Sequence, residues 1–211
     1  MPTLRRQGNS SPRESLRKVP PTVILASASP YRLAQLRQIG VNTQSVPAGI
    51  DESLWKSGGL PVRKLAMELA RAKAKAVFVR HADAIVIGAD QIASLDGEPF
   101  DKPGGFEEAR RQLSRLSGRT HVLSTAVTIM HPEGRVERVE SVRMSMRPLT
   151  DDEIDAYLRA DEPYDCAGCY RWESKGPLLF SAVRTSDPTA IIGLPLLWLS
   201  SALRSLGMRL P

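Results

Sequence analysis

The stretch Thr22-Val-Ile-Leu-Ala-Ser-Ala-Ser-Pro-Tyr-Arg32 predicts how the fold begins. Its apolar residues, Val23 to Ala26, indicate a short buried strand that ends at small hydroxyl residues and leads straight into a helix. Ser29 is a favourable N-cap, and Pro30 suits the first helical position. The free backbone N–H groups of such a helix start attract anions, and Arg32 adds a positive fork suited to phosphate. A phosphate-carrying ligand is one interpretation and an ordinary amphipathic helix is the other; this stretch alone favours neither.

A second strand, predicted over Ile85-Val86-Ile87, leads to two polar residues, Asp90 and Gln91. A continuous apolar run of this kind is typical of a central strand covered on both faces. We expect the strand to end at these polar residues. Ligands in open α/β sheets bind at the carboxyl ends of strands. Asp90 is therefore a candidate metal ligand or base, unless it caps a turn at the sheet edge. Lys102 follows shortly afterwards, as a phosphate-binding residue or an ordinary loop lysine.

The rest of the chain mixes helical and strand patterns. Helical spacing and end signals predict helices over 61–80 and 105–117, after the capping box at Thr150, and from Pro195 onwards. Alternating β-branched runs predict an antiparallel hairpin of 121–131 and 136–147, with further strands within 166–173 and 178–184. The sequence therefore predicts a mixed α/β fold, with a strongly curved sheet flanked by helices and two lobes around a central cleft.

Composition and charge place the chain among globular proteins. Of its 211 residues, 42% are apolar and 25% are charged, and no stretch reaches the roughly 20 apolar residues that span a bilayer. The N-terminus lacks the apolar core of a signal peptide, so we expect a cytoplasmic protein without a membrane partner. Of the net charge of +6, residues 1–20 carry +4, and we interpret them as a flexible basic tail before one domain over 21–211. The body does not interleave basic and aromatic residues, which argues against a specific nucleic-acid partner.

Two cysteines, Cys166 and Cys169, form a Cys-Ala-Gly-Cys motif in a segment predicted to be a strand. A structural zinc site needs four ligands, but the chain has no second cysteine pair and its three histidines are scattered. A thioredoxin-like motif would open a helix rather than lie in a strand. We therefore interpret the pair as two reduced thiols packed near the site.

Seven short motifs, in order from about residue 22 to the C-terminus, resemble the Maf family of nucleoside-triphosphate pyrophosphatases. They are Leu25-Ala-Ser-Ala-Ser-Pro-Tyr-Arg32, Val46-Pro-Ala-Gly-Ile-Asp-Glu52, Leu69-Ala-Arg-Ala-Lys-Ala74, Ile87-Gly-Ala-Asp-Gln91, Asp101-Lys-Pro103, Tyr164-Asp-Cys-Ala-Gly168 with Glu173, and Ile192-Gly-Leu-Pro-Leu196. Two stretches resemble the branch of the family that hydrolyses 7-methyl-GTP more than the branch that acts on dTTP and UTP. They are Tyr164-Asp-Cys-Ala-Gly168 and Asp187-Pro-Thr-Ala-Ile-Ile-Gly-Leu-Pro195.

The resemblance implies a metal-dependent hydrolysis of a nucleoside triphosphate to the monophosphate and pyrophosphate, with Mg²⁺ or Mn²⁺ as cofactor. Asp90 is implied as the catalytic base, and Glu52 and Asp90 as the metal ligands; whether Asp90 is base, ligand or both stays open. The side chains implied to hold the phosphates and steady the transition state are those of Ser27, Arg32, Lys73 and Lys102.

Base recognition is implied at Tyr31, Gln91 and Glu173, the positions that distinguish the branches of the family. The cationic ring of 7-methylguanine gains from an aromatic face such as that of Tyr31, and Glu173 can accept hydrogen bonds from the guanine N–H groups. Alternatively, Tyr31 covers the first turn of its helix and Glu173 pairs with Arg171 or Lys175. The pair Ser174-Lys175 departs from the family pattern, which leaves the local geometry open.

Three functions are consistent with these residues. The first is hydrolysis of 7-methyl-GTP as a modified nucleotide, and the second is the same reaction on dTTP or UTP. The third is a nucleotide-binding regulator of cell division that does not turn its ligand over. Asp90, Glu52 and both lysines argue against pure binding, since a sensor does not need an acid that activates water. The sequence is compatible with a homodimer but does not fix the oligomeric state.

Overall fold

The apolar start of the quoted stretch forms strand β1, Val23–Leu25, in a computed structural model that describes residues 21–211. Helix α1, Pro30–Gln38, follows as predicted, with the Ser29 side chain accepting a hydrogen bond from the Arg32 backbone N–H. Residues 1–20, for which we predicted a flexible tail, lie outside the described residues.

One mixed seven-stranded sheet forms the centre of the fold, and it is not closed into a barrel. Its other strands are β2 (Thr43–Ser45), β3 (Ile85–Leu95), β4 (Glu98–Phe100), β5 (Thr120–His131), β6 (Gly134–Met146) and β7 (Phe180–Arg184). The order across the sheet is β2-β1-β3-β5-β6-β7, with β4 beside β3. β1 runs parallel to β2 and β3, and the remaining pairs are antiparallel. The predicted hairpin is confirmed as β5 and β6.

Helices cover this sheet and complete the predicted mixed α/β fold. The others are α2 (Ser53–Lys56), α3 (Val62–Phe78), α4 (Phe106–Leu116), α5 (Asp151–Asp161) and α6 (Leu196–Ser205), with 3-10 turns at Gly176–Leu179 and Pro188–Ile191. The capping box at the start of α5 is confirmed, since Thr150 and Glu153 bond each other's backbone N–H groups. Of the helices within residues 21–211, none combines the length and the apolar character that crossing a bilayer takes.

Two large hydrophobic clusters lie along different parts of β3. In one, α1 and α6 pack with β1 against Ile85 and Ile87. In the other, α4 and α5 pack against Ala93 and Leu95 near the end of the strand. The second cluster also contributes Leu123, Tyr170 and Ile191 to the lining of a cavity. This cavity lies where β1 stops accompanying β3.

The predicted end of the second strand is wrong. β3 continues through Asp90 and Gln91 to Leu95, because β5 pairs with it from Val86 to Ser94 after β1 has stopped at Ile87. Asp90 therefore lies inside a central strand and does not cap a turn at the sheet edge. Its position beyond the last residue paired with β1 still exposes one side of β3 to the cavity.

The strand predicted within 166–173 is also wrong. This segment forms turns, and Gly168 and Cys169 adopt left-handed backbone conformations, with φ of 80° and 61°, which an extended strand does not tolerate. The other strand predicted in this region is confirmed as β7, which begins at Phe180. The Cys-Ala-Gly-Cys motif consequently lies in a turn.

Candidate functional site

A cavity of about 460 Å³ lies between α1, the 47–52 segment, α3 and the 165–173 loop, and its size is typical of a small-ligand site. Eight of the nine site residues predicted from the sequence line it: Ser27, Tyr31, Arg32, Glu52, Lys73, Gln91, Lys102 and Glu173. The ninth, Asp90, is buried behind this lining and contacts Lys73 directly. The structure thus brings all nine residues to one place.

Close packing of α3 on β3 places Lys73 beside Asp90. A Cβ atom on Gly88 would lie 2.4 Å from the backbone oxygen of Ala70 and 2.5 Å from the backbone nitrogen of Ala74. Only glycine allows this approach, since real Cβ atoms do not come so close to backbone. Asp90 lies two residues further along the strand, on the same face as Gly88, and Lys73 lies between the two alanines on α3.

Lys73 joins the two acidic residues of the site. Its Nζ lies 2.6 Å from Asp90 Oδ1 and 2.7 Å from Glu52 Oε1. Burial raises the pKa of the Asp90 carboxyl, although Lys73 and Arg32 act in the opposite sense. Burial also opposes ionisation of Glu52, but there the hydrogen bond and charge of Lys73, with Lys56 and Lys102, prevail and lower the pKa. The site therefore increases the basicity of Asp90 and decreases that of Glu52.

The guanidinium of Arg32 is fixed by the backbone around it. Its Nη1 donates to the Ala89 carbonyl oxygen at 3.0 Å and to Ser27 Oγ at 3.3 Å, and its Nε donates to the Gly193 carbonyl oxygen at 3.3 Å. Burial lowers the pKa of this group, while the negative charges of Asp90 and Glu52 favour its charged form. Arg32 is thus held as a fixed positive charge at the start of α1, beside the carboxylates. Arg32 is therefore not a solvated surface charge of an ordinary amphipathic helix.

The acidic residues of the site suit a hard divalent cation. Glu52 and Asp90 both reach the same Nζ atom, so their oxygen atoms face one small volume. Mg²⁺ prefers oxygen ligands and is usually held by one or two carboxylates together with substrate phosphates and water. Within residues 21–211 no group of three or more acidic, histidine or cysteine side chains has the arrangement of a metal cage. The donor set therefore fits an ion that the substrate helps to hold.

The side-chain amide of Gln91 has a defined orientation. Its Nε2 donates to Thr125 Oγ1 and to the Ala190 carbonyl oxygen, both at 2.8 Å, and to the Ile191 carbonyl oxygen at 3.2 Å. Carbonyl oxygens can only accept, so they fix which end of the amide carries the nitrogen. Gln91 therefore offers its oxygen, an acceptor, to the cavity.

Tyr31 faces the loop of residues 165–173 across the cavity lining. Burial raises the pKa of its hydroxyl, the charge of Arg171 lowers it, and those of Asp165 and Glu173 raise it. Arg171 pairs with Asp165 at 3.2 Å, and Lys175 donates to the Ala160 carbonyl oxygen. Among the described residues, Glu173 has no ion-pair partner, so neither alternative pairing predicted for it forms. Its carboxylate is available to a ligand.

The pair Ser174-Lys175 is accommodated outside the cavity. Residues 172–175 form a turn, closed by the Gly176 backbone N–H donating to the Arg171 carbonyl oxygen at 2.8 Å. A Cβ on Gly176 would lie 2.4 Å from that same oxygen, so the turn requires glycine. Ser174 Oγ donates to Asp161 Oδ1 at 2.5 Å, which ties the turn to the end of α5. The extra residues therefore leave Glu173 on the cavity surface.

Three further residues of this loop line the cavity: Asp165, Cys166 and Trp172. Cys166 is one of the two thiols that the sequence predicts near the site, whereas Asp165 and Trp172 were not predicted as site residues. The signals were the motif that contains Asp165 and the position of Trp172 next to Glu173. Cys166 is partly exposed and Cys169 is buried, and both are free thiols. Burial raises the pKa of Cys166 to about 12, so its thiol is not a nucleophile near neutral pH.

Comparison with known proteins finds relatives along nearly the whole chain. The Maf-like protein family model matches residues 22–206. A 7-methyl-GTP pyrophosphatase of Bordetella pertussis (strain Tohama I) is 45% identical over 191 residues, which cover 90% of this chain and 94% of that protein. A 7-methyl-GTP pyrophosphatase of Xanthomonas campestris pv. campestris (strain 8004) is 41% identical over 192 residues, which cover 90% and 99%. A solved structure of a HAM1 protein from Coxiella burnetii aligns with 87% of this chain and 98% of its own, at 16% identity and a TM-score of 0.49.

Proposed function

This chain belongs to the Maf-like protein family, and from that premise we propose that it hydrolyses 7-methyl-GTP to 7-methyl-GMP and pyrophosphate. The observation that carries the proposal is the arrangement of Lys73 between Asp90 and Glu52, beside the fixed charge of Arg32. Relatives that share 41–45% of their residues with this chain are named for the same reaction.

Asp90 takes the proton from the attacking water in this proposal. Burial raises the pKa of its carboxyl, which makes it a better base than an ordinary aspartate, while the charge of Lys73 favours its ionised form. The water attacks the α-phosphorus, the bond from that phosphorus to the bridging oxygen breaks, and pyrophosphate leaves with the electron pair. Asp90 returns its proton to solvent or to the product.

Cations on the protein hold the phosphates. An ammonium has three donors, and Lys73 uses two of them on Glu52 and Asp90, so the third can donate to a phosphate oxygen. Arg32 and Lys102 supply further positive charge from α1 and from the loop after β4. A divalent cation, Mg²⁺ or Mn²⁺, held by Glu52 and Asp90, would neutralise charge on the phosphates. The proposed function therefore includes a requirement for a divalent metal ion.

The opposite end of the cavity suits a methylated guanine. Glu173 lines the cavity and has no ion-pair partner among the described residues. Its carboxylate can accept hydrogen bonds from the guanine N1–H and 2-amino groups, and these bonds are strong because the acceptor is charged. Gln91 offers an amide oxygen, which also accepts. The ring of Tyr31 provides a face for the cationic 7-methylguanine. Acceptors and aromatic surface favour this base over a pyrimidine.

The test is pyrophosphate release with Mg²⁺ from 7-methyl-GTP, GTP, dTTP, UTP and CTP. We expect the highest kcat/KM for 7-methyl-GTP, and a loss of roughly 10²–10⁴-fold in Asp90→Asn, the contribution typical of a general base. Asp152→Asn, an exposed acid on α5, is the matched control and should keep full activity. A preference for dTTP or UTP would refute the base assignment but keep the reaction. Tight binding without turnover of any nucleotide would instead support the regulatory function.

The cytoplasmic location, the homodimer and the lack of a nucleic-acid partner stay predictions from the sequence. Size-exclusion chromatography with light scattering tests the oligomeric state. A monomer at micromolar concentration would contradict the homodimer, and retention by a nucleic-acid column at physiological salt would contradict the third prediction.

A further inference from the structure

We propose that Trp172 is a base-stacking residue, which sets the preference for the cationic 7-methylguanine ring over guanine. The inference rests on the proposed function, because it assigns a role in the same site. Neither the family motifs nor the predicted site residues include Trp172, so the proposal adds a specificity determinant of this chain.

The position of the indole ring is the first observation. Trp172 lines the cavity, and its ring is partly buried. On its inner side it packs against Phe180, with 5.9 Å between the ring centroids and 57° between the ring planes. The indole N–H forms no hydrogen bond among the described residues. The ring is thus supported by the core on one side and free to meet a ligand on the other.

The backbone that carries Trp172 is held firmly. Arg171 donates its backbone N–H to Tyr157 Oη at 3.1 Å, and its Nη1 donates to the Asp161 carbonyl oxygen at 2.8 Å. The turn that follows is closed onto Arg171 by Gly176. A rigid platform loses little conformational entropy when a base stacks on it, which favours affinity.

Proximity to Glu173 indicates which ligand group meets the ring. The two residues are neighbours in one turn, and both line the cavity. If Glu173 accepts hydrogen bonds along the edge of the base, the flat face of that base lies next to the adjacent side chain. Tyr31 also lines this part of the cavity, and the charge of Glu173 acts on its hydroxyl. Trp172 and Tyr31 therefore present two aromatic rings to one base.

Ring chemistry explains why a methylated base gains more. Tryptophan has the strongest cation–π attraction of the aromatic residues, and methylation at N7 leaves the guanine ring positively charged. Stacking alone accepts any base, because every base has a π-face. The indole should consequently bind all purines to some extent and the cationic purine most tightly.

Steady-state kinetics of three variants test the proposal. In Trp172→Leu, which keeps apolar bulk against Phe180, KM for 7-methyl-GTP should rise about tenfold, a change of ~1.4 kcal/mol, with kcat within about twofold. The KM for GTP should rise only about threefold, so the discrimination falls. Trp172→Phe should recover most of the loss, since it restores an aromatic face. Trp198→Leu is the control, because Trp198 packs in the cluster of α1 and α6 and does not line the cavity.

Equal rises in KM for the two substrates would overturn the proposal, as would an unchanged KM in Trp172→Leu. A fall in kcat that phenylalanine does not rescue would also overturn it, because that pattern indicates positioning of the loop rather than stacking. Thermal melts of each variant show whether the fold is kept.

Fluorescence separates this proposal from the proposed function. The chain has three tryptophans, so a Trp55→Phe, Trp198→Phe variant retains Trp172 alone. Quenching of its emission by 7-methyl-GMP, with weaker quenching by GMP, supports stacking even if the wild-type protein fails to hydrolyse 7-methyl-GTP, a result that would refute the proposed function only. Equal quenching by both nucleotides, or none, overturns the stacking proposal whatever the wild-type protein hydrolyses.

Discussion

Replacing Gly88 by alanine should disable the site without touching any residue that contacts substrate. The new Cβ would lie 2.4 Å from the Ala70 carbonyl oxygen, whereas carbon and oxygen atoms come no closer than about 3.3 Å in ordinary weak contacts. Helix α3 must therefore retreat by roughly 1 Å, since both neighbours are backbone atoms that cannot rotate away. Lys73 moves with the helix, so its contact of 2.6 Å with Asp90 on β3 lengthens.

This displacement of α3 should lower both the activity and the stability of the protein. A misplacement of about 1 Å in a catalytic arrangement costs on the order of 10²-fold in rate, and overpacking a core costs about 1–3 kcal/mol. We expect kcat/KM of Gly88→Ala to fall about 100-fold and Tm to fall by several degrees, measured by pyrophosphate release and by thermal unfolding. Gly105→Ala is the control, because φ there is −172° and no atom lies within 4 Å of the added carbon. Wild-type kcat/KM and Tm in Gly88→Ala would refute the claim that helix packing sets the site.

Chelation of divalent cations should abolish pyrophosphate release, and Mg²⁺ or Mn²⁺ should restore it, because two carboxylates, Glu52 and Asp90, are the ligands proposed among residues 21–211 and such a site releases its ion readily. Full activity in EDTA would contradict this donor set. Gln91→Glu should raise the KM for 7-methyl-GTP at least tenfold, because a carboxylate would face the carbonyl oxygens that now accept hydrogen bonds from the amide. An unchanged KM would show that these hydrogen bonds of Gln91 do not matter for substrate binding. Burial lowers the pKa of His121 to about 4 from 6.5. The unfolded chain therefore takes up a proton before the native protein as pH falls, and the free energy of unfolding should drop by up to ~3 kcal/mol between pH 6.5 and 4. Urea titrations of His121→Phe should show a shallower drop over this range, and equal slopes would contradict the assignment.

Local signals in the sequence predicted the elements that depend on local chemistry. Ser29 and Pro30 place the start of α1, and the capping box at Thr150 places the start of α5, because each satisfies backbone groups within its own helix. The hairpin of β5 and β6 likewise follows from two alternating runs joined by a short turn.

Elements that depend on distant partners were predicted less well. β3 continues past Asp90 because β5 pairs with it, and nothing within Gly88-Ala89-Asp90 signals that pairing. Residues 166–173 resemble a strand by composition, but left-handed backbone at Gly168 and Cys169 turns the chain instead. Both errors concern tertiary context that overrides local preference.

The candidate site shows the same division. The side chains were predicted from motifs, but Lys73 is one of several basic residues on its helix, and helical spacing alone does not separate it from Lys64, Arg71 or Lys75. The close approach of α3 at Gly88 brings Lys73, which precedes Ala74, to Asp90, whereas Arg71 pairs with Glu68 and Glu137. The sequence shows a glycine in a buried strand and small residues on a helix, but it does not show that the two are in contact. Only the structure shows that contact.

Charge balance explains why this site suits a substrate that arrives with a cation. Arg32, Lys73 and Lys102 provide three positive charges, and Asp90 and Glu52 provide two negative charges, so the phosphate end carries a net charge of +1. A nucleoside triphosphate brings about four negative charges, which the protein alone leaves largely uncompensated. A divalent cation held as proposed by Asp90 and Glu52 would offset two more of these charges. It would also take the place of Lys73 as the partner of both carboxylates, so that the donors of Lys73 could reach the phosphates. The ion pairs of the ligand-free site and the binding of a phosphate chain with its metal are therefore alternative ways of satisfying the same few charged groups.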